Sequence, residues 1–329
     1  MKRPDLHNSL ASSAMTFLLF TGMPIQAAEL DEWEHREEDT AQSAVADNNH
    51  AHTPPEPSNP SKSAASECRR IEGKLASIFQ NECLERNLVI TGGVSVNGAL
   101  ILYKEYPPLP SRSPHGRVLL IGGIHGDEYS SVSIVFKWMK ILDKFHSGLF
   151  HWHVVPLLNP DGLLREKSQR MNANGVDLNR NFPMPDWDTE TADYWLHRTD
   201  SDPRRYPGKS ALSEPETHWL AREIEQFNPD VIVTVHAPHG VVDYDGPKNA
   251  PYRLGRLYLS LIGTYPGSLG NYAGIQKHIP VVTIELPYAG SMPTSTEINN
   301  IWVDLVNWLR RNLGTQIRSV EKNQETEPS

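Results

Sequence analysis

Cysteine is nearly absent from this 329-residue chain: only Cys68 and Cys83 occur. Two thiols argue against a cysteine-rich structural metal cluster. Positive charge is also short, with 31 Lys and Arg against 40 Asp and Glu, for a net charge of −9. That balance argues against a nucleic-acid polyanion as the main partner. It still leaves room for a local arginine cluster that holds a small anion. Long apolar runs are missing too: residues 15–23 (MTFLLFTGM) are apolar but too short to cross a bilayer as a helix. No other segment qualifies and no internal repeat is visible, so the expectation is a chain that does not span a membrane.

What the start does contain is the pattern of an export signal over 1–28. Lys2 and Arg3 give a positive beginning, the short apolar run follows, and Gln26-Ala27-Ala28 offers small residues for cleavage. An exported, periplasmic location is therefore expected. Residues 29–66 are acidic, then rich in Pro, Ser, Asn and His; they lack apolar periodicity and read as a disordered linker. His50 and His52 within it read as part of a solvated tether. These flanks dilute the hydrophobic content to 38%.

Residues 67–98 should hold a helix (67–86) and short strands around 88–90 and 95–96. Export would permit a Cys68–Cys83 disulfide, yet Ile71, Leu75, Ile78 and Phe79 follow helical spacing between the two. A continuous helix would hold the thiols about 22 Å apart at 1.5 Å per residue, beyond bridging reach. A bridge needs the element to break at Gly73 or at a helix end, and both outcomes stay open.

From residue 99 to 315, apolar strands alternate with helices. Strands are expected at 99–106, 118–124, 154–158, 231–235 and 281–286, and helices at 129–145, 213–227 and 298–312. Ser213 is expected as N-cap of its helix, with Glu216 in the capping-box position. The stretch 181–207 reads as a polar, aromatic surface loop, and 316–329 as a disordered tail. The alternation implies an α/β fold: a mixed, mostly parallel twisted sheet with helices on both faces.

Three of these strands end on residues suited to metal chemistry. The first runs into Gly122-Gly-Ile-His125-Gly-Asp-Glu128, the second into His236, the third into Glu285. Ligands in open α/β sheets collect outside the carboxyl ends of strands, so these side chains can converge. Two His and one Glu form a common catalytic zinc set that leaves one position for water. Glu285 interrupts Val-Val-Thr-Ile-Glu-Leu, where a charge is costly without a partner. It suits a general base that takes a proton from water and passes it to a leaving amine.

The order of motifs resembles the zinc carboxypeptidases: Gly-x-His-x-x-Glu, Asn-Pro-Asp-Gly (159–162), Asp-Leu-Asn-Arg-Asn-Phe (177–182), the strand-end His236 and Thr-Ile-Glu-Leu (283–286). Within that family the text from Arg170 to Pro183 and His236-Ala-Pro238 is most similar to the murein peptide amidases, which cleave γ-D-glutamyl–diaminopimelate links. The resemblance spans 99–313. It implies one zinc ion held by His125, Glu128 and His236. It further implies Arg170 as the group polarising the scissile carbonyl, and Asn179 with Arg180 as the grip on a terminal carboxylate.

Residues 265–274 sit where that family has a mobile loop carrying a substrate-capping tyrosine, so the resemblance implies Tyr272 in that role. Asp243 and Asp245 are candidates for a substrate ammonium, and Arg204 or Arg205 for a second carboxylate. The expected protein is a monomeric zinc carboxypeptidase acting on a small peptide, with murein tripeptide foremost. Two rivals remain: a deacylase of N-acyl amino acids resembling aspartoacylase, and a catalytically inactive envelope protein that binds peptide ends.

Overall fold

A computed structural model describes residues 62–110, 113–247 and 249–324, apart from the side chains of 314–324. The expected signal 1–28, the tether histidines and most of the linker lie outside these residues. All described residues fall in the compact unit Ser58–Ser329.

Helix α1 (Ala64–Lys74) starts earlier than expected, because Ser63 and Ser66 cap it reciprocally: each hydroxyl accepts from the other's backbone N–H. The linker thus ends by residue 63. The helix also stops early, at C-cap Leu75, and the chain folds back into a short second helix, α2 (Glu82–Glu85). That turn corrects the continuous helix over 67–86. It brings Cys68 and Cys83 to a Cα separation of 5.3 Å, and they are disulfide-bonded. Closing a 15-residue loop contributes on the order of 3 kcal/mol.

Among the described residues nine strands form one sheet. These are β1 (Val89–Val94), β2 (Leu100–Tyr106), β3 (Arg117–Ile121), β4 (His151–Val155), β5 (Val231–His236), β6 (Val241–Asp245), β7 (Arg253–Leu254), β8 (Leu257–Leu259) and β9 (Val281–Glu285). Their spatial order is β1-β2-β4-β3-β5-β9-β6-β8-β7. The block β4-β3-β5-β9 is parallel, whereas β1, β2, β6 and β7 join through antiparallel pairs. The parallel expectation therefore holds for the centre, with antiparallel strands flanking it. Ser95 and Val96, expected as a strand, form the turn between β1 and β2, where Ser95 O accepts from Gly98 N.

The remaining helices are α3 (Tyr129–Phe145), α4 (Pro160–Leu164), α5 (Trp187–Arg198), α6 (Pro215–Phe227) and α7 (Ser295–Gln324). Alternation along β3 shows how two faces are covered. Val118 and Leu120 join a core with Val135 and Trp138 of α3 and Leu305 and Leu309 of α7. Leu119 and Ile121 join the opposite core with Leu220 and Ile224 of α6. Period-two side-chain alternation makes this the only way to bury both sets.

Three further expectations change. The stretch 181–207 contains α5, whose inward residues are essentially Trp187 and Thr191; so sparse an apolar stripe does not read as a helix. Helix α7 continues to Gln324, past the expected start of the tail at 316. Once nucleated, a helix gains one hydrogen bond per added residue. Finally, α6 begins at Pro215 with Glu214, not Ser213, at the N-cap.

Glu216 is fully buried and accepts from its own backbone N–H, from Val96 N and from Asn172 Nδ2. Burial pushes its carboxyl up to about 7, against partial relief from those hydrogen bonds. The folded state then holds this proton more tightly than the unfolded chain. The added stability is full below the unfolded value of 4.5 and is lost as pH rises through about 7. Glu216→Gln should remove up to about 3 kcal/mol of this acid-side gain. Urea unfolding at pH 5 and pH 8 checks it; an unchanged pH dependence in the variant would contradict the assignment.

Candidate metal centre and active site

His125 lies beyond β3, Glu128 sits at the N-cap of α3, and His236 and Glu285 are the last residues of β5 and β9. His236 and Glu285 are direct register partners, so two neighbouring strand tips present them together. The loop carrying His125 depends on close backbone approach. A Cβ on Gly126 would lie 2.2 Å from the Gly162 carbonyl carbon. That contact sets the loop against the segment leading to Arg170, whose carbonyl accepts from Gly126 N at 3.3 Å. Asn159 staples the same junction, its Nδ2 donating to Ile124 O (3.2 Å) and Arg170 O (3.1 Å).

The donor atoms converge closely. His125 Nδ1 lies 2.7 Å from Glu128 Oε1, His236 Nδ1 lies 3.0 Å from Glu128 Oε2, and the two Nδ1 atoms are 3.1 Å apart. Ligands bound at 2.0–2.1 Å to one tetrahedral ion sit roughly 3.4 Å from each other. Two imidazoles and a carboxylate that converge in a buried site are donor types that hold zinc, so this donor set fits a zinc ion. Burial pushes the Glu128 carboxyl up, but His125 and His236 outweigh it and hold it below the ordinary range.

Behind His125 stands Asp177, to which the sequence pattern assigns no separate role. It is completely buried; its Oδ1 lies 3.1 Å from His125 Nε2, and its Oδ2 accepts from Arg170 Nε at 2.9 Å. One carboxylate thereby fixes a ligand imidazole and a guanidinium together. Burial raises the Asp177 carboxyl, yet Arg170 and His125 hold it well below its usual value. Burial likewise works against the Arg170 charge, and Asp177 with Glu128 more than offsets it. The readable signal was a charged residue opening a motif flanked by Val176 and Leu178, where it needs a buried partner.

A cavity of about 440 Å³ opens beside these groups. Arg170, Asn179, Arg180 and Glu285 line it, as do Arg204, Arg205, Asp243 and Asp245. Asn179 Oδ1 accepts from Leu269 N at 2.9 Å, and Arg180 Nη1 donates to Asn179 O at 2.6 Å. Arg180 is 5% exposed and its buried Nε has no hydrogen-bond partner. Burial lowers its pKa from the ordinary value, with Asp177 opposing. Arg204 is held by Asp127 at 2.8 Å. Asp243 and Asp245 are both buried on β6, which pairs with β9 so that Asp243 lies opposite Thr283. Burial raises the Asp245 carboxyl; a Thr264 hydrogen bond relieves this in part and Asp243 adds to it.

Tyr272 is not part of this cavity. It lies in a π-helical stretch, Gly270–Gln276, buried with its ring stacked on Phe182 at 5.7 Å and its hydroxyl donating to Glu225. Gly270 and Gly274 let this stretch press on Asp245, where a Cβ would meet side-chain or backbone atoms at 2.0 and 2.6 Å. The tyrosine at the cavity is Tyr265, its ring centroid 4.5 Å from the Arg180 guanidinium carbon. Leu269, Tyr272 and Ala273 share helical spacing, the mark of a packed face, whereas Tyr265 precedes a Pro-Gly turn.

A family model described as zinc carboxypeptidase matches residues 88–252. The chain belongs to the zinc carboxypeptidase family: it is a metallocarboxypeptidase, and its cofactor is the family's one zinc ion. It is 31% identical over 223 residues to murein peptide amidase A of Escherichia coli (strain K12), covering 66% of this chain and 88% of that one. Its identity to murein peptide amidase A of Vibrio campbellii is also 31%, over 59% of this chain and 77% of that one. The carboxypeptidase A of Helicoverpa armigera shares the fold, with a TM-score of 0.56 at 17% identity over 77% of this chain and 81% of that one.

If Asp177 orients His125, Asp177→Asn should weaken zinc affinity about 10–100-fold. Competition with a chromogenic chelator measures this, and an unchanged affinity would count against the coupling.

Proposed function

We propose that this zinc carboxypeptidase releases diaminopimelate from the γ-D-glutamyl link of short murein peptides, as an exported monomer. The observation that carries the reading is a cavity of two signs beside Glu285. Arg180, with its unpartnered Nε, offers a guanidinium to the leaving residue's main-chain carboxylate. Asp243 and Asp245 offer negative charge for a side-chain ammonium, and Arg204 and Arg205 positive charge for a second carboxylate. Diaminopimelate bears all three groups. The similarity to murein peptide amidases supports the same substrate class. The Cys68–Cys83 disulfide supports an oxidising compartment, in keeping with the signal pattern at the start of the chain.

His125, Glu128 and His236 would hold the zinc ion, which when bound supplies Lewis acidity and makes water acidic near neutral pH. Asn179 and Arg180 fix the terminal carboxylate, and Tyr265 covers that end by stacking on Arg180. Arg170, anchored by Asp177, places its guanidinium where negative charge builds on the scissile carbonyl oxygen. Glu285 removes a proton from the attacking water and returns it to the departing amine. Backbone N–H of His239, 3.5 Å from Glu285 Oε2, helps hold that carboxylate in place.

The test is incubation of zinc-loaded protein with L-alanyl-γ-D-glutamyl-diaminopimelate, its lysine analogue, and N-acyl aspartate, with mass spectrometry of the products. Preferred release of diaminopimelate is expected. Preferred deacylation of N-acyl aspartate, or no release from any peptide, would overturn the proposal. Glu285→Gln should keep its zinc while turnover falls about 10²–10⁴-fold. Asp243→Asn should raise KM for the diaminopimelate peptide roughly 10-fold or more, the loss of one charge-assisted hydrogen bond.

A further inference from the structure

Far from the catalytic cavity, the other end of the sheet carries a second cluster of metal-ligand type. His151 and His153 are alternate residues at the start of β4, so both imidazoles point to the α6 face of the sheet. Glu105 on β2 is the antiparallel register partner of His153. His151 is also paired with Arg117, the first residue of β3, whereas the catalytic histidine lies beyond that strand's last residue. The two clusters therefore occupy opposite ends of the parallel block.

We propose that Glu105, His151 and His153 form a second divalent transition-metal site, taking Zn²⁺ or a similar ion as a clasp between β2 and β4. One ligand atom from each lies within 4.8 Å of the others. Glu105 Oε1 is 2.7 Å from His151 Nε2 and 3.9 Å from His153 Nε2. These separations bracket the roughly 3.4 Å expected between two ligands of one tetrahedral ion. Two imidazoles and a carboxylate are the donor types that hold zinc, nickel or copper, with open positions left to water.

A second observation shows that the ligands are held ready. His153 Nδ1 lies 2.5 Å from Glu223 Oε1 on α6. An ionised carboxylate only accepts, so Nδ1 is the donor to Glu223, which leaves Nε2, on the Glu105 side, as the ring atom able to bind an ion. This carboxylate–imidazole pair is the arrangement that orients ligand histidines in metal sites. Phe227 at the end of α6 fixes both rings: His153 stacks on it at 3.7 Å and 11°, and His151 meets it edge-on at 5.0 Å and 90°. An ion here would join β2 to β4 directly and α6 through Glu223. It takes no part in hydrolysis.

The test uses the full chain with its catalytic zinc in place. Equilibrium dialysis against rising free Zn²⁺, read by elemental analysis, should show a second equivalent in the wild type, with a rise in melting temperature as it fills. His153→Asn should lower the second-site affinity at least about 10-fold. Glu105→Gln, at an exposed side chain, should do the same with the wild-type melting temperature kept in the absence of added zinc. Peptide hydrolysis and the first equivalent should be unchanged in both. A wild type that stays at one equivalent up to 100-fold excess zinc, or a second equivalent that both variants retain at full affinity, would overturn the proposal.

Discussion

Two imidazole nitrogens, those of His125 and His236, face each other 3.1 Å apart, each backed by a different oxygen of Glu128. Removed from water together with a carboxylate, that juxtaposition needs positive charge, from a proton or a cation. The rest of the structure can be understood as what holds it in place. The parallel block brings β3, β5 and β9 to a common end, the register makes His236 and Glu285 neighbours, and Asp177 braces His125 from behind. Asn159 and Gly126 then lock the loop that carries the first ligand to the segment that carries Arg170.

The polar residues around this centre form a chain of obligations. Asp177 is tolerable in the interior because Arg170 pairs with it and His125 hydrogen-bonds it, and Arg170 is tolerable because Asp177 and Glu128 offset its charge. Removing one partner of such a set leaves an uncompensated buried charge, which costs more than the pair itself contributes. Arg180 differs: its buried Nε has no hydrogen-bond partner, and the residue lines the cavity. An unsatisfied buried group of that kind is kept in the fold at a cost.

Much of the fold and the metal centre was legible because strand ends and glycine-rich turns are local features. The apolar runs before His125, His236 and Glu285 each end where β3, β5 and β9 lead, and the ordered motifs single out the three candidate donors that the structure brings together. What could not be read depends on chain reversals or on side-chain direction. Ile71, Leu75, Ile78 and Phe79 keep helical spacing across a break, so the Cys68–Cys83 bridge was hidden by a periodicity that the backbone does not follow. Helix α5 was hidden for the opposite reason, since Trp187 and Thr191 are almost its whole buried face. Tyr272 and Tyr265 lie seven residues apart in one glycine-bearing segment, and only the π-helical winding shows which one is packed away. Asp177 stood inside a readable motif, but its role lies in a partner 52 residues distant.

The central claim is that separate strand ends deliver three donors to one cation. A crystal of the zinc-loaded protein, measured on both sides of the zinc absorption edge, tests it most directly. The account predicts an anomalous peak about 2.0–2.2 Å from His125, Glu128 and His236 together. Density that leaves either imidazole out of bonding distance of that ion would contradict it.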